Sequence, residues 1–268
     1  MDINNKVGVV TGGLRGIGYV IVQHFLRRGA KFVAIFDLDV EEHEEVVNAL
    51  KQLEQEFAAQ RFSYYCCDVT NFKKFIACYD EVYTTNGAVD ILVNNAGVFA
   101  EHDQDLTVAV NFTSVIHCTM HAIERMGTNK GGKGGVIVTI GSICALISLS
   151  TIPVYSATKG ALACFVRSTK DYNAKYGVRI VCLCPGMTKT KMTHAVKAIK
   201  SYCLDFVPQK FIDQHISMHL QDPNSVASAV VEIAEKGKSG DIWLQCCDQP
   251  PVDWENKKAV EQYLKLLK

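Results

Sequence analysis

A chain of 268 residues with 48% hydrophobic and only 21% charged side chains has enough apolar surface for a large core, which excludes an intrinsically disordered protein. Its 28 basic and 28 acidic residues cancel, and no long run of one sign occurs. Nucleic acid and anionic bilayers are therefore disfavoured as partners.

The opening residues MDINNKVGVVTGG contain no basic segment followed by an apolar one. No secretory signal is read there, so the mature chain is expected to begin at Met1 and to be cytoplasmic. An uncharged stretch of 25 residues, 134–158, has the length of a membrane span, but seven of its residues are Ser or Thr and it contains Pro153. It reads as strand, loop and helix start, without membrane insertion. The 11 cysteines are odd in number in a large, apparently unexported chain, which favours reduced thiols over a disulfide framework. Cys66-Cys67 and Cys246-Cys247 are adjacent and Cys182 and Cys184 are separated by one residue, so the spacing of zinc sites is missing and no metal is expected.

From the first residues onward, short β-rich runs alternate with helical patterns, the signature of a parallel sheet with crossover helices. The first strand is predicted over 7–11, and the turn Thr11-Gly12-Gly13-Leu14-Arg15-Gly16-Ile17-Gly18 and an apolar helix follow it directly. Glycines there let backbone amides approach a pyrophosphate, and the helix directs its partially positive end at that anion. Gly12, Leu14, Arg15, Gly16, Ile17 and Gly18 are thus candidate cofactor-binding residues, although ordinary tight turns also use glycine.

The second strand, 31–37, ends on Asp37, 19 residues past Gly18. A carboxylate there accepts both hydroxyls of an adenosine ribose and repels a 2′-phosphate, which selects NAD over NADP. Leu38 lies beside it. Asp37 as a simple helix cap is the plainer alternative, and the Arg15 guanidinium pulls toward a phosphate. A helix is predicted over 41–57, with Val46, Val47, Leu50, Leu53 and Phe57 at helical spacing.

Further strands are predicted over 61–67, 90–94, 136–142, 178–184 and 241–246, and several are apolar throughout, as expected where helices cover both sheet faces. The resulting architecture is α/β, a single doubly wound domain with a seven-stranded parallel sheet and helices on both faces. Only 189–221 breaks the alternation. It carries Met192, Tyr202, Phe206, Phe211 and Met218 and reads as an inserted substrate-binding lid.

Tyr155 and Lys159 are i and i+4 on one predicted helix, so their side chains share a face. Oxidising a carbinol requires a base beside the hydroxyl. A phenol is a poor base near neutrality unless a cation held close favours the phenolate, and Lys159 is placed to be that cation.

Together the turn of residues 11–18, Asn94-Asn95-Ala96-Gly97, Ser142, Tyr155-Ser156-Ala157-Thr158-Lys159 and Pro185-Gly186-Met187-Thr188 resemble the motifs of the short-chain dehydrogenase/reductase family, in the family's order and over nearly the whole chain. Within that family the likeness is greatest to the NAD-dependent 15-hydroxyprostaglandin dehydrogenase type and to insect alcohol dehydrogenase-like members. The resemblance implies a Rossmann fold and hydride transfer between NAD and an alcohol.

By that resemblance Tyr155 is the acid/base, Lys159 also holds the nicotinamide ribose, Ser142 orients the substrate oxygen, and Asn111 supports a water leading from Lys159 to solvent. Asp68 and Val69 would contact adenine; Asp68 as a helix cap is the alternative. Asn95, Ala96 and Gly97 would form the cofactor floor, and Pro185, Gly186 and Thr188 would border the nicotinamide. A homodimer or homotetramer through helices 105–125 and 154–176 is implied as well.

Leu146, Ile147, Ile152 and Met187 surround the expected carbinol position, so an apolar secondary or allylic alcohol, or the matching ketone, is the expected substrate. Ile152 stands where the prostaglandin-oxidising type resembles this chain except for a glutamine, which argues against prostaglandin itself. Two other readings are a non-catalytic NAD-binding regulatory protein and an NADPH-dependent carbonyl reductase.

Overall fold

Seven apolar runs form the strands β1 (Val7–Thr11), β2 (Phe32–Asp37), β3 (Phe62–Cys66), β4 (Ile91–Asn94), β5 (Gly135–Ile140), β6 (Val178–Pro185) and β7 (Ile242–Gln245). The computed structural model describes residues 1–39, 43–147, 149–193, 203–216 and 218–266. All seven pair in parallel, and each lies within two residues of its predicted bounds.

An eighth strand, β8 (Val252–Asp253), pairs antiparallel with β7, so the sheet has eight strands rather than the seven read from the sequence. Two residues after Pro250-Pro251 carry no periodic signal, and only the free edge of β7 makes them a strand. The spatial order is β3-β2-β1-β4-β5-β6-β7-β8, and the chain reverses its direction of winding between β1 and β4, where ligands of such sheets bind.

Alternation along the strands divides the core into two layers. Val10, Ile35, Val93, Val138 and Val181 face α1 (Gly16–Arg27) and α9 (Pro223–Lys236) through Phe25, Leu26, Val230 and Ile233. Val9, Ala34, Leu92, Ile137 and Ile180 face α3 (Phe72–Asn86), α5 (Ser114–Met126) and α6 (Pro153–Arg167) through Phe75, Tyr79, Met126 and Val166. The predicted helix 41–57 is α2 (Glu44–Glu56); Glu41 lies outside the described residues.

The predicted helix 105–125 is α4 (Gln104–Val108) joined to α5 by a π-helical turn, Ala109–Thr113. By length and composition, residues 104–126 are apolar enough to cross a membrane, but half of that window is buried within the protein. The predicted helix 154–176 is interrupted. Ser168 and Thr169 donate their hydroxyls to the carbonyls of Cys164 and Val166, α6 stops, and α7 (Tyr172–Tyr176) follows. Such back-bonding competes with the helix ladder.

Residues 189–221 leave and rejoin the sheet side by side, through a bridge between Thr188 and Gln221, and contain α8 (Gln209–Ile216). Tyr202 lies outside the described residues. The tail after the two prolines forms α10 (Lys257–Leu266).

Gly12 has φ +61° and Gly16 φ +55°, a region that side chains disfavour. Gly18 is demanded by space instead: a Cβ there would lie 2.0 Å from the Gly12 carbonyl oxygen. Gly18→Ala is therefore expected to lower stability by about 1–3 kcal/mol through overpacking and to weaken NADH binding. A thermal melt with an NADH titration checks this.

Candidate active site

The carboxyl ends of β1, β4, β5 and β6 open into one cleft of about 540 Å³. On its floor the two loops at the switch point are locked together. The Thr11 hydroxyl accepts from the Asn95 and Ala96 amides (3.0 and 3.1 Å), and Asn95 Nδ2 donates to the carbonyls of Thr11 and Gly12 (2.9 and 3.0 Å). Thr11 escaped the sequence reading because a threonine closing a strand is unremarkable in isolation.

The structure brings Gly12, Arg15, Gly16, Ile17, Asp37, Leu38, Asp68, Val69, Asn95, Ala96, Gly97, Ser142, Ile152, Tyr155, Lys159, Pro185, Gly186 and Thr188 to the walls of this cleft. Among the other predicted site residues, Leu14 is buried and its amide donates to Asp37 Oδ2 (3.0 Å), while Gly18 packs under the Gly12 carbonyl.

The first turn of α1 has neither a side-chain cap nor an acidic residue, so its amides are free to meet an anion. Asp37 Oδ1 also accepts from the Leu38 amide (2.8 Å). Arg15 is paired with Asp39 and lies 4.0 Å from Asp37 and 3.5 Å from Glu45. Three carboxylates thus surround the one cation that the sequence offered to a phosphate. Asp68 accepts from the amide and hydroxyl of Thr70 (2.8 and 2.7 Å), and the cap of α3 is Asn71, which accepts from the Lys74 amide (3.1 Å).

At the deep end Tyr155, Ser142 and Lys159 are all buried, and the Ser142 hydroxyl accepts from the Cys144 amide (3.2 Å). The Lys159 ammonium lies 5.5 Å from the centre of the Tyr155 ring and donates to the Ile140 carbonyl (2.9 Å). Burial dominates the phenol's environment and raises its pKa, the Cys144 thiol adds to the rise, and the Ser142 hydrogen bond opposes it. Burial also lowers Lys159 to about 8 from its ordinary 10.5. Both shifts follow from removing a charged form from water.

Asn111, in the π-helical turn, is fully buried. Its Oδ1 accepts from the Val98 amide (2.8 Å) and its Nδ2 donates to the Val98 carbonyl (2.9 Å), which ties this helix to the loop that follows β4.

Two further residues hold Tyr155, and the sequence reading missed both. Phe99 packs edge-on against its ring, with centroids 4.2 Å apart. Glu101 is fully buried and accepts from the amides of Val154 (3.0 Å) and Tyr155 (2.7 Å), capping α6 from more than 50 residues away in sequence. No local spacing announces such a contact.

The end of the cleft beside Tyr155 is apolar, with Phe99, Leu149, Ile152, Met187, Met192 and Met218 among its walls. Leu146 and Ile147 pack in the adjoining core cluster rather than on the cleft wall, and Phe206 of the insertion is exposed. All 11 cysteines are free thiols, and Cys164 is exposed.

A family model for short chain dehydrogenases matches residues 6–200, and the chain belongs to the short-chain dehydrogenase family of oxidoreductases. It is 32% identical to 15-hydroxyprostaglandin dehydrogenase (NAD(+)) of Rattus norvegicus over 88% of each chain. It is 28% identical to a development-specific 25 kDa protein of Sarcophaga peregrina over 91% of this chain and 93% of that one. A dehydrogenase/reductase from Sinorhizobium meliloti 1021 superposes with a TM-score of 0.75 at 25% identity, covering 91% of this chain and 96% of its own.

Because Lys159 is lowered in the folded protein from 10.5 to about 8, the unfolded chain binds more protons between those values. The contribution of this group to stability therefore rises with pH across that window. Wild type is expected to gain on Lys159→Met in melting midpoint from about pH 8 to the ordinary lysine value of 10.5; a pH-independent difference would show that the ammonium is solvated.

Proposed function

We propose that this protein is an NAD-dependent alcohol dehydrogenase that acts on an apolar secondary or allylic alcohol. The carrying observation is the buried Ser142, Tyr155 and Lys159 set in the same cleft as the glycine turn and Asp37. The cofactor fits the residues present: uncapped amides of α1 for the pyrophosphate, Asp37 for the adenosine ribose hydroxyls, Asp68 and Val69 for adenine, and Pro185, Gly186 and Thr188 for the nicotinamide. The names of the mammalian relatives, which specify NAD(+), support the same cofactor.

When bound, the oxidised nicotinamide supplies the hydride acceptor. Ser142 holds the substrate oxygen, and the Tyr155 phenolate takes the hydroxyl proton in oxidation and returns it in reduction. The Lys159 ammonium, anchored by the Ile140 carbonyl, favours that phenolate and holds the nicotinamide ribose. Asn111 fixes the loop beside Lys159 and supports a water path to solvent.

The apolar walls and Ile152 select a substrate with little polarity near its carbinol. Residues 189–221 are its lid, in a single catalytic domain. The free thiols suit a reducing, cytoplasmic setting. On α5 the half-exposed Met120, and on α6 Gly160, where a Cβ would meet nothing within 4 Å, offer a surface for a second copy. The NADPH-dependent reductase reading is opposed by the carboxylates around Arg15, and the non-catalytic reading by the intact set of Asn111, Ser142, Tyr155 and Lys159.

Wild type is expected to generate NADH absorbance on a graded panel of apolar secondary and allylic alcohols, at a rate that climbs with pH, because burial raises the Tyr155 phenol, up to about 8, where the Lys159 ammonium that favours the phenolate is lost. Tyr155→Phe is expected to bind NADH and to turn over none of them. A wild type that binds NADH but oxidises no alcohol and reduces no ketone would favour the non-catalytic reading. Asp37→Ala is expected to narrow the preference for NAD over NADP, measured as the ratio of kcat/KM values; an unchanged ratio would assign selection to Arg15 or Leu38.

A further inference from the structure

Tyr155 stands in the first turn of α6, where a helix leaves its amides without partners of its own. Ile152, which opens the turn, supplies no side-chain cap, and Pro153 has no amide to satisfy. The Ser156 amide already meets the Ile152 carbonyl (3.0 Å). Two amides remain, those of Val154 and Tyr155, and Glu101 takes both, one on each carboxyl oxygen. Oε2 accepts from Val154 (3.0 Å) and Oε1 from Tyr155 (2.7 Å). Glu101 is fully buried and Tyr155 is buried beside it, where an amide left without an acceptor is costly.

The loop that carries Glu101 is itself fixed from several sides. Asn111 bonds both backbone groups of Val98. The Ala100 carbonyl accepts from the Asp103 amide (2.9 Å) and from the Thr107 hydroxyl (2.7 Å), and Gln104 Nε2 donates to the Glu101 carbonyl (2.5 Å). Phe99, two residues before Glu101, meets the Tyr155 ring edge-on. One anchored loop therefore grips Tyr155 twice, at its amide through Glu101 and at its ring through Phe99. A reacting side chain is held to working precision only when the groups around it are locked in turn.

We propose that Glu101 is a positioning residue for the reaction: its two carboxyl oxygens fix the turn that carries Tyr155, and so set where the phenol stands relative to Ser142 and the substrate oxygen. This rests on the proposed acid/base role of Tyr155. Displacing a reacting group by about 1 Å costs on the order of 100-fold in rate, so loss of either oxygen is read in turnover. Charge at Glu101 acts in the opposite direction. A negative group near a phenol disfavours the phenolate, so removing charge alone would speed proton abstraction, and misplacement alone slows it.

The test is Glu101→Gln, which keeps the shape but leaves one acceptor and turns an N–H toward the other amide, compared with wild type on the best alcohol of the panel. NADH titration counts the competent sites, and turnover is expressed per site. Glu101→Gln is expected to lose at least about tenfold in kcat per site, within the range that misplacement covers, while NADH affinity and KM stay nearly unchanged. Glu101→Asp keeps both acceptors and draws them back by one methylene. Its kcat per site should fall between those of wild type and Glu101→Gln, and it carries the comparison if Glu101→Gln binds no NADH.

A kcat per site equal to wild type in each variant that binds NADH, with activity falling only in step with the number of sites, would overturn the proposal and leave Glu101 a purely structural cap. A variant faster than wild type would show that the side chain acts through charge and would overturn it as well. A wild type that binds NADH but turns over no alcohol would remove the proposed function, and this inference with it, whereas an active wild type with unaffected variants removes this inference alone.

Discussion

The parallel register of β1, β4, β5 and β6 is the constraint on which the rest of the protein depends. Val10 pairs with Val93, Val93 with Val138 and Val138 with Val181, so the chain leaves all four strands at the same edge. The glycine turn, the Asn95 loop, Ser142 and the Pro185-Gly186 loop are consequently neighbours although they are far apart in sequence. Pairing across the switch point aligns them only roughly. The side-chain bonds of Thr11 and Asn95 to backbone on the opposite loop convert that alignment into a fixed floor.

Within the cleft, burial acts against ionisation of both Tyr155 and Lys159, raising the first and lowering the second. The fold compensates locally. Ile140 offers its carbonyl to the ammonium, Ser142 opposes the rise at the phenol, and Glu101 and Phe99 hold the start of α6 from the loop after β4. Asn111 reaches the same segment from the helix that precedes β5, through both polar atoms of its amide. Residues 97–101 thus connect the Asn95 loop to Tyr155. Acidic and apolar groups divide the cleft: carboxylates collect at one end around Arg15, and methionine, leucine, isoleucine and phenylalanine form the other. One cavity thus has a charged end and an apolar end.

What the sequence by itself determined were the features written in local pattern. The seven parallel strands follow from apolar runs bounded by turn residues, and the position of Asp37 from its place at a strand end. The pairing of Tyr155 with Lys159 follows from helical spacing. Each of these depends on neighbours within a few residues, where periodicity and chain geometry act directly.

Tertiary structure alone decided the rest. β8 exists because the edge of β7 was free, and the helix read over 154–176 breaks where two hydroxyls bond back to its carbonyls. Arg15 is drawn to Asp39 and Glu45 rather than left open to a phosphate. Glu101 accepts from the Tyr155 amide from 54 residues away, and Gln221 contacts the Thr188 hydroxyl from 33 residues away. A buried polar group must find a partner wherever the fold supplies one, and partners at that separation leave no spacing in the chain by which to recognise them.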